Sequence, residues 1–291
     1  MTARILVTGS TGTVGGATLR ALKSDAEARH LELLGAARSE KGMSRLRDEG
    51  FTPVAFDFDE PATMRPALSG VDAVFLLTGY SVDMLVHSKR FLDAAKAEGV
   101  RHIVHLGALA PEDTPFAHFA WHQLVERAIQ AMGFGWTHLR PNFFMDTVWN
   151  GFVHRPDRVV HFVGDQRVSW VASDDMAAVA AAVLREPARH ADKIYPLASE
   201  SLTLAEIADI LSQVTGKPVD YRSRPASDLL PILQRQGAEP LYAAGLADGL
   251  AAIEHGEMPI ACESFDTVET ITGRKAVGWR EFAEARKHQI V

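Results

Sequence analysis

Cysteine is nearly missing: the 291-residue chain has one, Cys262. A single thiol cannot build an internal disulfide framework, and such usage suits a reducing compartment. No apolar stretch approaches the roughly 18–20 residues that cross a bilayer. The first strand follows directly on Met1-Thr2-Ala3-Arg4, with no apolar leader before it. A cytoplasmic protein without a membrane partner is the expectation. Basic runs are missing as well. The formal net charge is −7, and no stretch carries the density of Lys and Arg that a phosphate backbone demands, which argues against nucleic acid. Long repeats and low-complexity segments are absent. The 47% of hydrophobic residues provides for a large core of one domain or slightly more.

What is present begins at Ile5. Ile5-Leu6-Val7 runs into Thr8-Gly9-Ser10-Thr11-Gly12-Thr13-Val14-Gly15-Gly16, with glycines at G-x-x-G-x-x-G spacing. Ala17, Leu19 and Leu22 then follow a helical pattern. A strand, a tight turn and a helix start in that order form a site for a dinucleotide pyrophosphate. Glycines let the main chain approach the phosphates, and the free N–H groups of the helix start face their charge. Gly9, Thr11, Gly12, Thr13, Val14 and Gly15 are the expected cradle.

The second strand, residues 32–38, ends on Arg38 with Lys41 close behind, and no Asp or Glu stands at the strand end, although Glu40 follows shortly. An acidic residue there would hold a ribose 2′-hydroxyl, whereas an Arg accommodates a 2′-phosphate. NADP(H) is therefore expected over NAD(H). The third strand and its exit, residues 54–59, bring Asp57 and Phe58 to the adenine position; Asp57 or Asp59 capping the next helix is the alternative. A buried strand over 73–79 ends at Thr78-Gly79-Tyr80, and such strand ends face the ligand. Helices are expected over 84–98 and 117–132, and strands over 102–108 and 136–141. Pro141, at the end of the last of these, joins the expected cofactor contacts.

Alternating strands and helices predict an α/β fold: a Rossmann-type, doubly wound parallel sheet with a smaller C-terminal α+β region. The division is residues 1–145 for the dinucleotide-binding domain and 146–291 for the substrate region, with about 172–198 packing back on the first sheet. Within the second part we expect a hairpin over 159–171 around Gly164-Asp165 and a helix headed by Asp174-Asp175. A helix over 203–214 should start with a Thr203/Glu206 capping box, and loose helices over 225–260 should form a lid.

These stretches resemble the NmrA-like group of atypical short-chain dehydrogenases over essentially the whole chain, and within it the bacterial reductases of triphenylmethane dyes and quinones. The likeness rests on residues 8–15, Ala37-Arg38, residues 137–145, Ser173-Asp174-Asp175-Met176, residues 204–208, Thr272-Gly273-Arg274 and Trp279-Arg280-Glu281-Phe282. It implies the fold and dinucleotide binding. The group also holds members that bind the dinucleotide, perform no chemistry and act as redox-sensing regulators.

Catalytically complete short-chain dehydrogenases carry a Ser after the fifth strand and a Tyr-x-x-x-Lys on the next helix. This chain has Gly107-Ala108 in the first place and His118-Phe119-Ala120-Trp121-His122 in the second, and no Tyr-x-x-x-Lys anywhere. The missing triad argues against ordinary alcohol–ketone chemistry, and against epimerisation or dehydration of a nucleotide sugar by the same means. His122 takes the place of the Lys, as donor near the nicotinamide ribose, against the plainer reading of polar residues on a half-exposed helix face. A metal on His118 and His122 lacks a local third ligand, and Cys262 is alone, so no metal is expected. Hydride transfer to an electron-poor carbon needs orientation more than a proton donor. Phe143, Phe144, Trp149, Phe152 and Trp170 could wall a flat apolar acceptor, with Tyr80 at the sheet edge and Tyr242 in the C-terminal region able to give a proton. The expected activity is NAD(P)H-dependent reduction of a small aromatic acceptor such as a quinone. The alternative is a silent NADP(H) sensor acting on a protein partner. The expected partners are the small-molecule acceptor and, for assembly, a second copy of the chain in a homodimer.

Overall fold

The computed structural model describes residues 2–24, 30–79, 81–150, 154–155 and 157–290. The first half alternates strands and helices: β1 (Ala3–Val7), α1 (Thr13–Lys23), β2 (Leu31–Ala37), α2 (Glu40–Asp48), β3 (Thr52–Ala55), α3 (Met64–Leu68), β4 (Ala73–Leu76), α4 (Met84–Ala97), β5 (His102–Leu106), α5 (Ala117–Ala131) and β6 (Gly135–Pro141). Short elements follow: β7 (Phe143–Phe144), α6 (Met145–Asn150), β8 (His154–Arg155), β9 (Arg158–His161) and β10 (Val168–Val171). Then come α7 (Ser173–Arg185), β11 (Lys193–Leu197), β12 (Glu200–Leu202), α8 (Leu204–Thr215), β13 (Asp220–Ser223), α9 (Leu229–Arg235), α10 (Pro240–Glu254), α11 (Thr267–Thr272) and α12 (Trp279–Ala285).

Seven strands form one sheet in the order β11-β6-β5-β4-β1-β2-β3, and every pairing in it is parallel. The chain winds outward from β1 in one direction, returns to β4 and winds in the other. The crevice between the carboxyl ends of β1 and β4 is therefore the switch point where such sheets bind ligands. Side chains alternate across the sheet, as the pleat demands. Ile5 and Val7 pack with Leu19 and Leu22 of α1 and Val179 and Val183 of α7. Leu6 packs on the other face with Phe91 and Leu92 of α4 and Val125 and Ile129 of α5. The stretch over 172–198 thus supplies a helix beneath the sheet and an edge strand beside β6.

A second core gathers Trp170, Trp279, Phe282, Phe162 and Leu204 between two three-stranded sheets, β12-β10-β7 and β13-β9-β8, and α8, α9, α10 and α12. Here the expected hairpin is corrected. β9 pairs with β13 and β8, whereas β10 pairs with β12 and β7. The chain passes at Gly164 from one small sheet to the other instead of folding back on itself. The Thr203/Glu206 capping box is present.

Asp174 and Asp175 head α7 without capping it; the N-cap is Ala172, and Asp146 accepts the Ser173 N–H at 3.0 Å from outside the helix. Asp175, with no exposed surface, pairs with Arg274 at 2.7 Å and accepts the Val277 N–H at 2.8 Å. Burial raises its carboxyl above the ordinary range, while the Val277 N–H and Arg274 oppose that. The pair fastens the C-terminal segment to the Rossmann unit. Among the described residues no helix is long and apolar enough to cross a membrane.

Candidate functional site

The glycine turn sits at the carboxyl end of β1. Gly9 has φ +59°, a left-handed conformation that side chains disfavour. A Cβ on Gly15 would lie 2.4 Å from the Gly9 carbonyl oxygen and 2.9 Å from that of Thr8. Only hydrogen fits there, so α1 starts directly against the turn. Gly12 N–H donates to the Gly9 carbonyl at 2.9 Å. The Thr8 hydroxyl accepts the Leu77 N–H at 2.7 Å and lies 3.1 Å from the Phe75 and Leu77 carbonyls, to which it can donate. Ser10 Oγ donates to the Ala36 carbonyl at 2.6 Å. These bonds tie the turn to the ends of β2 and β4. No side chain caps α1 and its first turn holds no acidic residue. The N–H groups of Thr13, Val14 and Gly15, which have no intrahelical acceptor, therefore stay available to an anion, and the residues present fit a dinucleotide pyrophosphate.

α2 begins beside this turn. Ser39 caps it through the Gly42 N–H at 3.2 Å, and Arg45 Nη1 donates to the Thr11 carbonyl at 3.3 Å. Arg38 and Lys41 are exposed, and no ion pair among the described residues includes either. At the end of β3, Asp57 is occupied locally, accepting the Asp59 N–H at 3.2 Å. Asp59 pairs with His87 at 3.2 Å. Neither aspartate caps α3, whose entry is a 3-10 turn over Pro61–Thr63. Phe58 is half-buried, its ring stacked on His87 at 5.8 Å with 20° between planes. β4 ends at Leu76, short of the expected Gly79. Thr78 is half-buried and Gly79 exposed. Pro141, buried at the end of β6, accepts the Leu109 N–H at 2.8 Å and so holds the segment after β5.

α5 lies over the ends of β5 and β6 along a polar seam. His118 and His122 stand one turn apart with ring centroids 5.4 Å apart, and His118 is 5.5 Å from the ring of Tyr242 on α10. Both histidines are half-buried, and the Nδ1 of each is enclosed without a hydrogen-bond partner. Burial pushes His118 down to about 4. Burial, with His118 and His105 nearby, holds His122 well below the ordinary value. Both imidazoles are neutral at pH 7.

Beneath them His105 and His138 are register partners on β5 and β6, their rings 5.8 Å apart. Burial holds His105 low and pushes His138 to about 3. Glu126 and Arg140 form a buried ion pair, with Nη2–Oε2 at 2.5 Å and Nε 3.1 and 3.2 Å from the two oxygens. Burial raises the Glu126 carboxyl against the lowering by Arg140. Arg140 also binds Glu112 on the loop before α5, and Gln123 donates to the Pro111 carbonyl at 2.7 Å. α5 is thus locked to the sheet and to the loop that would face a ligand.

Tyr242, 5% exposed, stacks on Trp121 at 6.1 Å. Glu239 accepts the N–H groups of Leu241 and Tyr242 at 2.7 and 2.9 Å and of Val82 at 3.4 Å, which fixes the start of α10 beside the loop before α4. Gly245 and Gly249 let α10 cross closely over Ala117 and Phe119 of α5. Phe143 and Phe144 are half-buried. Phe143 packs 5.3 Å from Trp170 and 5.4 Å from His161. Trp170 has no exposed surface and packs on Trp279, so it belongs to the second core and not to an acceptor wall. Tyr80 and Phe152 lie outside the described residues, as does the side chain of Trp149.

His118, His122 and Tyr242 therefore come together, whereas no ring contact among the described residues joins them to Phe143 or Phe144. Sequence reading passed over Arg45, His87, His105, His138 and the Glu126–Arg140 pair. The only signal for the last group was polar residues inside strands that are otherwise apolar.

Comparison with known proteins bears on the family and the fold. The chain is 31% identical over 290 residues to the NAD(P)H azoreductase of Xenophilus azovorans, with 97% of each chain covered. It is 29% identical over 254 residues to quinone oxidoreductase 2 of Escherichia coli, covering 85% of this chain and 84% of that one. The structure of Citrobacter sp. triphenylmethane reductase complexed with NADP(H) superposes with TM-score 0.80 at 26% identity, over 97% of this chain and 99% of that one. The model of the NmrA-like family matches residues 1–282, and the protein belongs to that family.

Proposed function

We propose that the protein is an NADPH-dependent reductase that passes hydride to a small, flat, apolar acceptor, a quinone or quinone-like dye, without a Ser-Tyr-Lys triad. The observation that carries the reading is the pairing of a glycine turn built for a pyrophosphate with two neutral histidines, His118 and His122, at the helical spacing where a proton-donating Tyr and its Lys would otherwise stand. The three relatives, each named for reduction of an azo dye, a quinone or a triphenylmethane dye, support the acceptor class.

In this reading Gly9, Thr11, Gly12, Thr13, Val14 and Gly15 hold the pyrophosphate. Asp57 and Phe58 flank the adenine. Arg38, just past the end of β2, and Lys41, in the first turn of α2, are exposed cations that take the 2′-phosphate. Thr78, Gly79 and Pro141 border the nicotinamide, which supplies the hydride when bound. His122 donates from its neutral ring toward the ribose or the reduced acceptor. Tyr242, Phe143 and Phe144 bound the acceptor. A quinone takes one hydride from the dinucleotide and one proton from a side chain or water, whereas a cationic dye takes the hydride alone.

The test is loss of reduced-nicotinamide absorbance with NADPH or NADH and a panel of quinones, triphenylmethane dyes, azo dyes and simple enals. Turnover with NADPH is expected. His122→Ala should lower turnover and leave NADPH affinity nearly unchanged; an unchanged rate removes His122 from the chemistry. Arg38→Ala should weaken NADPH far more than NADH, and equal losses refute its 2′-phosphate role. Silence across the panel with NADPH bound refutes the reductase in favour of a sensor.

A further inference from the structure

We propose that His105, His138 and Glu126 form a buried site for a single divalent transition-metal ion of the zinc class, between α5 and the β5–β6 pair. One ligand atom from each of the three lies within 4.8 Å of the others, and all three residues are buried. His105 has no exposed surface, yet neither of its ring nitrogens has a partner, and His138 Nδ1 is equally unpartnered. A buried polar atom left without a hydrogen bond is destabilising. One nitrogen of each ring and one oxygen of the carboxylate lie close enough for a single cation to draw them together. Two imidazoles and a carboxylate form a donor set that zinc accepts, with a fourth position for water or a further nitrogen. His122, whose Nδ1 is enclosed and unpartnered and whose ring lies 5.6 Å from that of His105, is the neighbour from which that nitrogen would come.

Two features favour an ion over an empty polar core. The first is space. A Cβ on Gly107 would sit 2.7 Å from Glu126 Oε1 and 3.5 Å from His105 Cε1, so glycine keeps open the gap between the carboxylate and the ring. The second is charge. Arg140 pairs with both Glu126 and Glu112. The one guanidinium is shared between two carboxylates, so Glu126 does not have a cation to itself. Arg140 holds Oε2 most closely, at 2.5 Å, and in the bound state orients the carboxylate from behind, as partners of ligating carboxylates do. Tetrahedral zinc places its ligands about 2.1 Å from the ion, and the three side chains draw inward on binding. The metal-free core expected from sequence is thereby revised, because the ligands sit on three elements and meet only through the pairing of β5 with β6 and the packing of α5 on them.

The test uses the full chain, dialysed against a chelator and titrated with ZnCl2 by calorimetry and with CoCl2 by visible absorption. Thermal melting and circular dichroism check the fold of each variant. Wild type should bind one equivalent more than His105→Phe or His138→Phe. Its Co2+ form should show the intense visible bands of a four-coordinate ion, which both variants lose. Zinc should raise the melting temperature of wild type alone. Gly107→Ala, which removes no ligand, should also lose that equivalent by filling the gap. If a phenylalanine variant fails to fold, His138→Gln carries the same comparison. Equal uptake by wild type and folded variants, or no uptake by wild type, overturns the proposal and leaves the seam a polar core.

Discussion

Gly15→Ala tests the turn most sharply. The new methyl carbon would stand 2.4 Å from the Gly9 carbonyl oxygen, 2.7 Å from its carbon and 2.9 Å from the Thr8 oxygen. All three are backbone atoms of the turn, and none can swing aside. Restoring contact at about 3.5 Å moves the start of α1 by about 1 Å relative to the turn. Forced overpacking of this kind costs ~1–3 kcal/mol, offset by up to ~1 kcal/mol because alanine favours a helix over glycine. If relieving the clash opens the cradle, most of the cost falls on binding, and each 1.4 kcal/mol is about tenfold in affinity. NADPH should therefore bind about tenfold or more weakly, read by fluorescence titration. Gly12→Ala would meet the Gly9 oxygen at 3.2 Å, needs a shift of only tenths of an ångström, and should weaken binding by a few-fold at most. Gly216→Ala is the control. It ends α8 with φ +73° and open space around it, so it should lower the melting temperature, at about 1–2 kcal/mol, and leave NADPH affinity alone. Wild-type affinity in Gly15→Ala, or an equal loss in Gly216→Ala, refutes the assignment of the turn.

Two further outcomes follow from the seam. Arg140→Met should destabilise the protein by ~3–5 kcal/mol in urea unfolding, because it strands the buried Glu126 carboxylate. Adding Glu126→Gln should recover most of that loss, and an additive double variant refutes the pairing. Acid should unfold the protein early. Burial lowers His102, His118 and His161 to about 4 and His138 to about 3. The unfolded chain therefore binds protons first as pH falls. This contribution is complete above about pH 6.5 and is lost toward pH 4 and below, by at most ~3 kcal/mol for each residue lowered to about 4 and ~5 kcal/mol for His138. A urea midpoint that stays flat from pH 7 to pH 4 contradicts this.

The parts legible in the sequence were those that act locally. Gly9, Gly12 and Gly15 lie within one strand–turn–helix unit, and their spacing dictates their geometry without help from the rest of the chain. The capping box of Thr203 and Glu206 is another such case. The seven-stranded sheet followed from alternation, because each apolar run had only one kind of partner. The second half resisted for the opposite reason. β7 and β8 have two residues each, too few to show a period, and β9 and β10 have four each with a glycine between them. Their partners, β13 and β12, lie far along the chain, and proximity in sequence misled. Asp175 illustrates the same limit: its place at a helix start suggested a cap, and its function in the fold is set by Arg274, nearly a hundred residues later.

The seam joins these threads. A parallel strand covered on both faces is expected to be apolar, yet β5 and β6 place His105 and His138 beneath α5, with Glu126 and Arg140 beside them. Such a seam is a poor source of stability, because buried charge gains little over apolar packing. Its effect is on position: Arg140 reaches Glu126 on α5 and Glu112 on the preceding loop at once, so the helix bearing His118 and His122 has one seating on the sheet. It also decides the protonation state. With His118 lowered to about 4, placing a proton on it at pH 7 costs ~4 kcal/mol. On the proposed reading, such rings can give a neutral N–H to developing charge but cannot serve as a standing imidazolium acid. That favours acceptors which spread their own charge after taking hydride, as quinones and cationic dyes do, over simple ketones, whose alkoxide needs its proton at once.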